Sequence, residues 1–127
     1  MARILLIDDD DMVRFTLRSA LQREGHDVVE AENGAVALDR MRDGGFPLVI
    51  TDIVMPEKEG IEVIMELRRD YPATCIIAIT GGDPQRRLLY SSMANELGAD
   101  HVLIKPFLDD TLIALIDECL CDAEGSA

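Results

Sequence analysis

Five short apolar runs, each followed by a stretch of helical periodicity, constrain this chain more than any other feature. The runs are Arg3–Ile7, His26–Glu30, Leu48–Thr51, Cys75–Ile79 and Val102–Ile104. Four of them are almost wholly apolar, as strands covered on both faces must be. Met12–Arg23 sets Val13, Leu17, Ala20 and Leu21 on one face, the stripe of an amphipathic helix. Asn33 predicts a cap for a short helix with Ala37, Leu38 and Met41 inward, stopped by Gly44 and Gly45. Ile61–Asp70 predicts a third helix with Ile61, Ile64, Met65 and Leu67 inward. Pro84–Leu97 has proline at the entrance and Gly98 past the end, the usual asymmetry of a helix. Leu108–Leu120 predicts the last helix. Five strand–helix repeats require right-handed crossovers and an open parallel sheet, a doubly wound α/β fold. With 127 residues and no Pro/Gly/Ser linker, the expectation is one domain over 1–122 and a disordered tail over 123–127.

Twelve Lys and Arg stand against 25 Asp and Glu, a formal net charge of −13. Such a surface repels nucleic acid and anionic membranes and favours cations or basic partners. The longest apolar runs, Cys75–Ile79 and Leu112–Ile116, are five residues, far short of a bilayer span. The first residues before Asp8 are too few for a signal peptide, so a cytoplasmic location is expected. Cys75, Cys119 and Cys121 lack framework spacing, and read as buried or bland thiols in a reducing compartment, with a redox or metal role as the alternative. Cys119 and Cys121 point to different sides of their helix.

In an open parallel sheet, ligands bind beyond the carboxyl ends of the strands. The first strand runs into Asp8-Asp9-Asp10-Asp11, the third into Asp52, the fourth into Thr80 and the fifth into Lys105. Crowded carboxylates repel unless a cation intervenes. Lys105 supplies one positive charge, and a hard divalent cation held by oxygen ligands, Mg²⁺, supplies the rest. An aspartate can attack phosphorus to form an aspartyl phosphate, while Thr80 offers a hydroxyl and Lys105 a point charge to phosphoryl oxygens. Phosphoryl transfer needs little beyond in-line positioning and charge neutralisation. Asp10 and Asp11 read as a helix cap and a first-turn residue. His26 and His101 read as surface or strand-edge residues, since neither has a partner at ligand spacing.

Ile4-Leu5-Leu6-Ile7-Asp8-Asp9, Asp52-Ile53-Val54-Met55-Pro56 with Gly60, Thr80, Gly98-Ala99 and Lys105-Pro106-Phe107 occur in that order. Together they resemble the receiver (CheY-like) domain of two-component response regulators over residues 2 to 121. The resemblance implies a flavodoxin-like (βα)5 sheet of strand order 2-1-3-4-5. It implies Asp52 as phosphoacceptor, with Mg²⁺ held by Asp8, Asp9, Asp52 and the backbone carbonyl of Val54. Thr80 would be the switch hydroxyl, Lys105 the counter-ion, and the Lys105–Pro106 bond cis. The donor would be a phosphohistidine on a sensor histidine kinase or histidine phosphotransfer protein, and the output a conformational shift read by a downstream protein. Such a module signals rather than turning over a substrate, and catalyses only its own phosphorylation and dephosphorylation.

Three departures from the family pattern stand out. Val102 occupies the position, three before the lysine, where an aromatic residue is usual. The run from Thr80 to Gly98 is longer than usual and opens Gly81-Gly82-Asp83-Pro84. Val54 and Gly82, two residues after Asp52 and Thr80, cannot hold an attacking water, which implies slow loss of phosphate. Leu88, Leu89 and Tyr90 exceed one inward face and are a candidate core, partner or homodimer surface. The rival reading is a small phosphohydrolase of the haloacid-dehalogenase type, with Asp8 as nucleophile and Asp10, Thr80, Lys105 and Asp109-Asp110 in support. Met12 stands where that pattern wants a small residue, and Asp52 goes unexplained. A pseudo-receiver that signals without phosphate usually lacks a site residue, and none is missing here. EF-hand, P-loop and dinucleotide fingerprints are absent from the sequence.

Overall fold

Side chains along a strand alternate between the two sheet faces, so a strand sandwiched between helices must be apolar throughout. The three central strands obey this rule except at their ends, and the edge strands less so. The structure, a computed structural model, describes residues 2–53, 60–81, 92 and 95–125. Strands β1 (Arg3–Ile7), β2 (Asp27–Ala31), β3 (Leu48–Asp52), β4 (Cys75–Thr80) and β5 (His101–Ile104) form one sheet in the order β2-β1-β3-β4-β5. Every pairing is parallel. Helices α1 (Asp11–Arg23), α2 (Gly34–Arg42), α3 (Gly60–Asp70) and α4 (Asp109–Gly125) cover its faces. Leu5, Ile7, Val49, Ile76 and Ala78 point into one core with Ala37, Met41, Ile64 and Leu67 of α2 and α3. Ile4, Leu6, Leu48, Ile50, Ile77 and Ile79 point into the other with Leu17 and Leu21 of α1 and Leu112 and Ile116 of α4. The doubly wound architecture and strand order are those expected.

Local chemistry sets the helix ends. Asp10 caps α1, its carboxylate accepting from the Met12 and Val13 amides at 2.9 and 3.3 Å. Asn33 caps α2 by accepting from the Val36 amide at 2.9 Å. Both satisfy donors that a helix start otherwise leaves open. Beyond the carboxyl end of α3, Arg68 donates to the carbonyls of Pro72, Thr74 and Gly98 and to Asp100, which itself accepts from the Ile76 amide at 2.7 Å. Gly98 has φ +128°, and a Cβ there would stand 2.9 Å from Arg68 Cγ.

Four expectations are corrected. On α3, Val63 is fully buried and Met65 is 49% exposed; both flank the same stripe, and packing against α2 turns the helix toward Val63. Strand β2 lies one residue later than its apolar pattern suggested, because an edge strand paired only with β1 is less apolar at its margins. Helix α4 runs through Gly125, past the expected end at Leu120, since Ala123 and Glu124 are good helix formers. Cys75 and Cys119 are not free thiols but a disulfide, with Cα atoms 6.2 Å apart. Of the helix expected over Pro84–Leu97, residues 92 and 95–97 are helical. The rest, including Gly82 and the Leu88-Leu89-Tyr90 cluster, lies outside the described residues, as do Val54, Met55 and Pro56.

Candidate functional site

Register brings the polar residues together. Ile7 of β1 pairs with Thr51 of β3, and Asp52 of β3 pairs with Ile79 of β4. Asp8 therefore emerges beside Asp52, and Thr80 one residue beyond the Asp52 pair. Thr80 in turn pairs with Ile104, and the Lys105 amide donates to the Thr80 carbonyl at 2.7 Å. All four polar positions reach one edge of the sheet.

One ligand oxygen from each of Asp8, Asp9 and Asp52 lies within 4.8 Å of the others. Asp8 is 2% exposed and Asp52 8%, whereas Asp9 faces solvent. Lys105 Nζ stands 3.3 Å from Asp52 Oδ2 and 4.0 Å from Asp8 Oδ2. The Lys105–Pro106 bond is cis. Gly81 makes room for the lysine stem, because a Cβ at Gly81 would press to 3.2 Å of Lys105 Cδ. Burial pushes the Asp8 carboxyl up to about 6, with the charges of Asp52 and Asp9 adding to the rise and the Asp10 amide and Lys105 opposing it. Three carboxylates sharing one ammonium leave surplus negative charge, and an all-oxygen donor set fits a hard divalent cation. The Thr80 hydroxyl is fully buried and finds no hydrogen-bond partner among the described residues. Buried hydroxyls are nearly always partnered, which sets this one apart from the other buried polar side chains among the described residues.

Arg14 was not singled out by sequence reasoning. It lies on α1, largely buried against β2, and its Nη1 donates to the Asp8 carbonyl at 2.6 Å. It also pairs with Asp11 and with Glu30, which in turn holds Arg18 at 2.6 Å. The network fixes the backbone from which Asp8 and Asp9 project. The signal was an arginine on the sheet-facing side of an amphipathic helix. On α1 and in the segment after Lys105, the apolar side chains of Met12, Phe15 and Leu108 are 73%, 57% and 74% exposed. Beside them a cleft of about 380 Å³ runs between α1 and the Lys105-Pro106-Phe107 turn.

The phosphohydrolase arrangement does not assemble. Its second aspartate would be Asp10, whose carboxylate is engaged as the α1 cap. Asp109 and Asp110 open α4 rather than ending a strand.

A doubly wound parallel sheet with clustered carboxylates, a lysine and a buried threonine hydroxyl at its carboxyl edge defines a phosphoacceptor class of signalling fold. The chain belongs to the response regulator receiver domain family, whose sequence profile matches residues 4–117. It is 38% identical over 116 residues to the transcriptional regulatory protein CpxR of Escherichia coli K12, covering 91% of this chain and 48% of that protein. It is 34% identical to the DNA-binding transcriptional regulator NtrC of Azospirillum brasilense, covering 94% of this chain and 24% of that one. The chain thus spans about half the length, or less, of these curated relatives. Among solved structures it is similar to the response regulator TrrA of Thermotoga maritima, determined with Mg²⁺ and BeF (TM-score 0.80, 36% identity, 94% of this chain and 99% of that one). A receiver domain protein from Clostridium thermocellum superposes with TM-score 0.92 at 25% identity over the whole of both chains. No helix among the described residues is long and apolar enough to cross a membrane.

Proposed function

We propose that Asp52 is the residue that receives the phosphoryl group in this receiver. The observation that supports this reading best is the convergence of Asp8, Asp9 and Asp52 within 4.8 Å, with Lys105 Nζ 3.3 Å from Asp52. Asp52 Oδ attacks phosphorus of a phosphohistidine on a sensor histidine kinase or histidine phosphotransfer protein. The P–N bond breaks as the O–P bond forms, and the leaving imidazole nitrogen takes up a proton. Asp8, Asp9 and Asp52 would hold Mg²⁺, together with the Val54 carbonyl that the family resemblance assigns. When bound, Mg²⁺ neutralises the crowded carboxylates and the incoming phosphoryl oxygens. Lys105 stays beside Asp52 as a counter-ion to the phosphoryl group. The Thr80 hydroxyl, buried and without a partner among the described residues, turns to donate to a phosphoryl oxygen. That move, with the new charge, biases the domain toward a second conformer read by a downstream protein. Met12, exposed on α1 and lining the cleft beside Lys105 and Phe107, supplies apolar ground on which a donor protein can seat itself. The chain does no catalysis beyond its own phosphorylation and dephosphorylation, works in the cytoplasm, and makes no direct contact with nucleic acid through this domain.

Intact-protein mass after incubation with acetyl phosphate tests the assignment. One added phosphoryl group is expected, dependent on Mg²⁺ and absent from Asp52→Asn. An adduct that survives Asp52→Asn but not Asp8→Asn would return the case to the phosphohydrolase.

A further inference from the structure

We infer that Cys75 and Cys119 form a reversible redox switch that fastens α4 to β4. Cys75 is the first residue of β4, its backbone fixed by pairing with Leu48 and by donation to the Pro47 carbonyl at 3.0 Å. Cys119 lies on the inward stripe of α4 with Leu112 and Ile116, and is 2% exposed. Their Cα atoms stand 6.2 Å apart, inside the span that a disulfide bridges without moving either backbone. Both elements therefore keep their places in the dithiol and the disulfide forms. Two apolar cores and a chain of 127 residues supply enough burial to fold without a crosslink. The bond is then free to open and close in the native state, as disulfides inside reducing compartments characteristically do.

The two cysteines are unequally buried. Cys75 is partly exposed and Cys119 is not, so an external reagent meets Cys75 first and Cys119 acts as the resolving thiol. With glutathione disulfide as oxidant, the Cys75 thiolate attacks one sulfur and releases one glutathione thiolate, leaving a mixed disulfide. Cys119 Sγ then attacks Cys75 Sγ and displaces the second. Two electrons pass from the protein to glutathione disulfide, and the two protons lost by the protein thiols are taken up by the two glutathione thiolates. Reduction by excess glutathione runs the same steps in reverse.

The bond sits at the amino end of β4, the opposite end from Thr80. Helix α4 begins at Asp109, four residues beyond Lys105, and reaches Cys119 at the far edge. Oxidation pins the far end of a helix whose near end adjoins the acidic site.

The test uses the whole chain in glutathione buffers of graded ratio, without phosphate donor or divalent cation, so its outcome is independent of the phosphoacceptor assignment. Acid quenching, maleimide labelling and intact mass count thiols in wild type, Cys121→Ser and Cys75→Ser. The expected result is interconversion of dithiol and disulfide in wild type and Cys121→Ser at the same glutathione ratio, with the loss and regain of two hydrogens. The oxidised form should melt higher by about 10 °C, with slower amide exchange in the second half of α4. Cys75→Ser should form no intramolecular bond; if it does not fold, the comparison of wild type with Cys121→Ser carries the test. The inference is overturned if the thiols stay reduced at every ratio. It is equally overturned if the bond opens only on denaturation, or if the crosslink contains Cys121.

Discussion

Replacing Asp8 with asparagine should stabilise the cation-free domain at neutral pH. The Asp8 carboxyl is raised from 3.8 to about 6, chiefly by burial and further by Asp52 and Asp9. Between those two values the folded chain holds a proton that the unfolded chain has released, so stability falls as pH rises through this window and the loss is complete above it. About two units correspond to a ceiling of about 3 kcal/mol. Relaxation and solvent ions around this half-open edge bring the expected contribution to about 1–2 kcal/mol. Asparagine keeps the shape and can still accept from the Asp10 amide, now at 2.9 Å from Asp8 Oδ1. Urea unfolding in chelator at pH 7 should therefore show Asp8→Asn more stable than wild type by about 1–2 kcal/mol, or about 5 °C in Tm. The gap should shrink as pH falls from 6 toward 3.8 and vanish below that, where Asp8 is protonated in both states, and Mg²⁺ should reverse it by stabilising wild type alone. A variant no more stable than wild type at pH 7, or a gap that does not shrink in acid, would refute the account of the site as crowded charge.

Thr80→Val replaces a buried, unpartnered hydroxyl with an isosteric methyl and should raise stability by about 1 kcal/mol in urea, while abolishing the conformational response to phosphorylation seen by amide exchange. Gly98→Ala should cost about 2–3 kcal/mol by thermal melting, since φ is +128° and the new Cβ meets the Arg68 stem at 2.9 Å. Phosphorylated protein, freed of donor and followed by mass, should lose its phosphate slowly, because neither Val54 nor Gly82 offers a group to hold an attacking water. Rapid loss with no phosphatase present would contradict this.

The sheet and its reactive edge were legible because both follow from short-range rules. A central parallel strand is apolar until it leaves the sheet, so the residue that ends the run, Asp8, Asp52, Thr80 or Lys105, is also the one delivered to the carboxyl edge where the candidate site lies. What the sequence concealed depends on long-range contact. Cys75 and Cys119 are 44 residues apart with no framework spacing, and only the docking of α4 on β4 joins them. Nothing in the sequence around Arg68 shows that it gathers the carbonyls of Pro72 and Thr74 in the loop after α3 and of Gly98 before β5. Met65 and Val63 exchange roles because the rotation of α3 is decided by what it packs on, not by its own periodicity.

The sheet backbone separates two apolar interiors that share no side chain, with α2 and α3 on one side and α1 and α4 on the other. Substitutions on opposite sides should therefore behave additively in double-mutant cycles, whereas neighbours within one side should couple. Evolutionary change can then proceed on the α1–α4 side, where the apolar cleft and the sulfur crosslink lie, without forcing compensation beneath α2 and α3. A fold divided in this way can diversify whom it speaks to on one flank while the other keeps it folded.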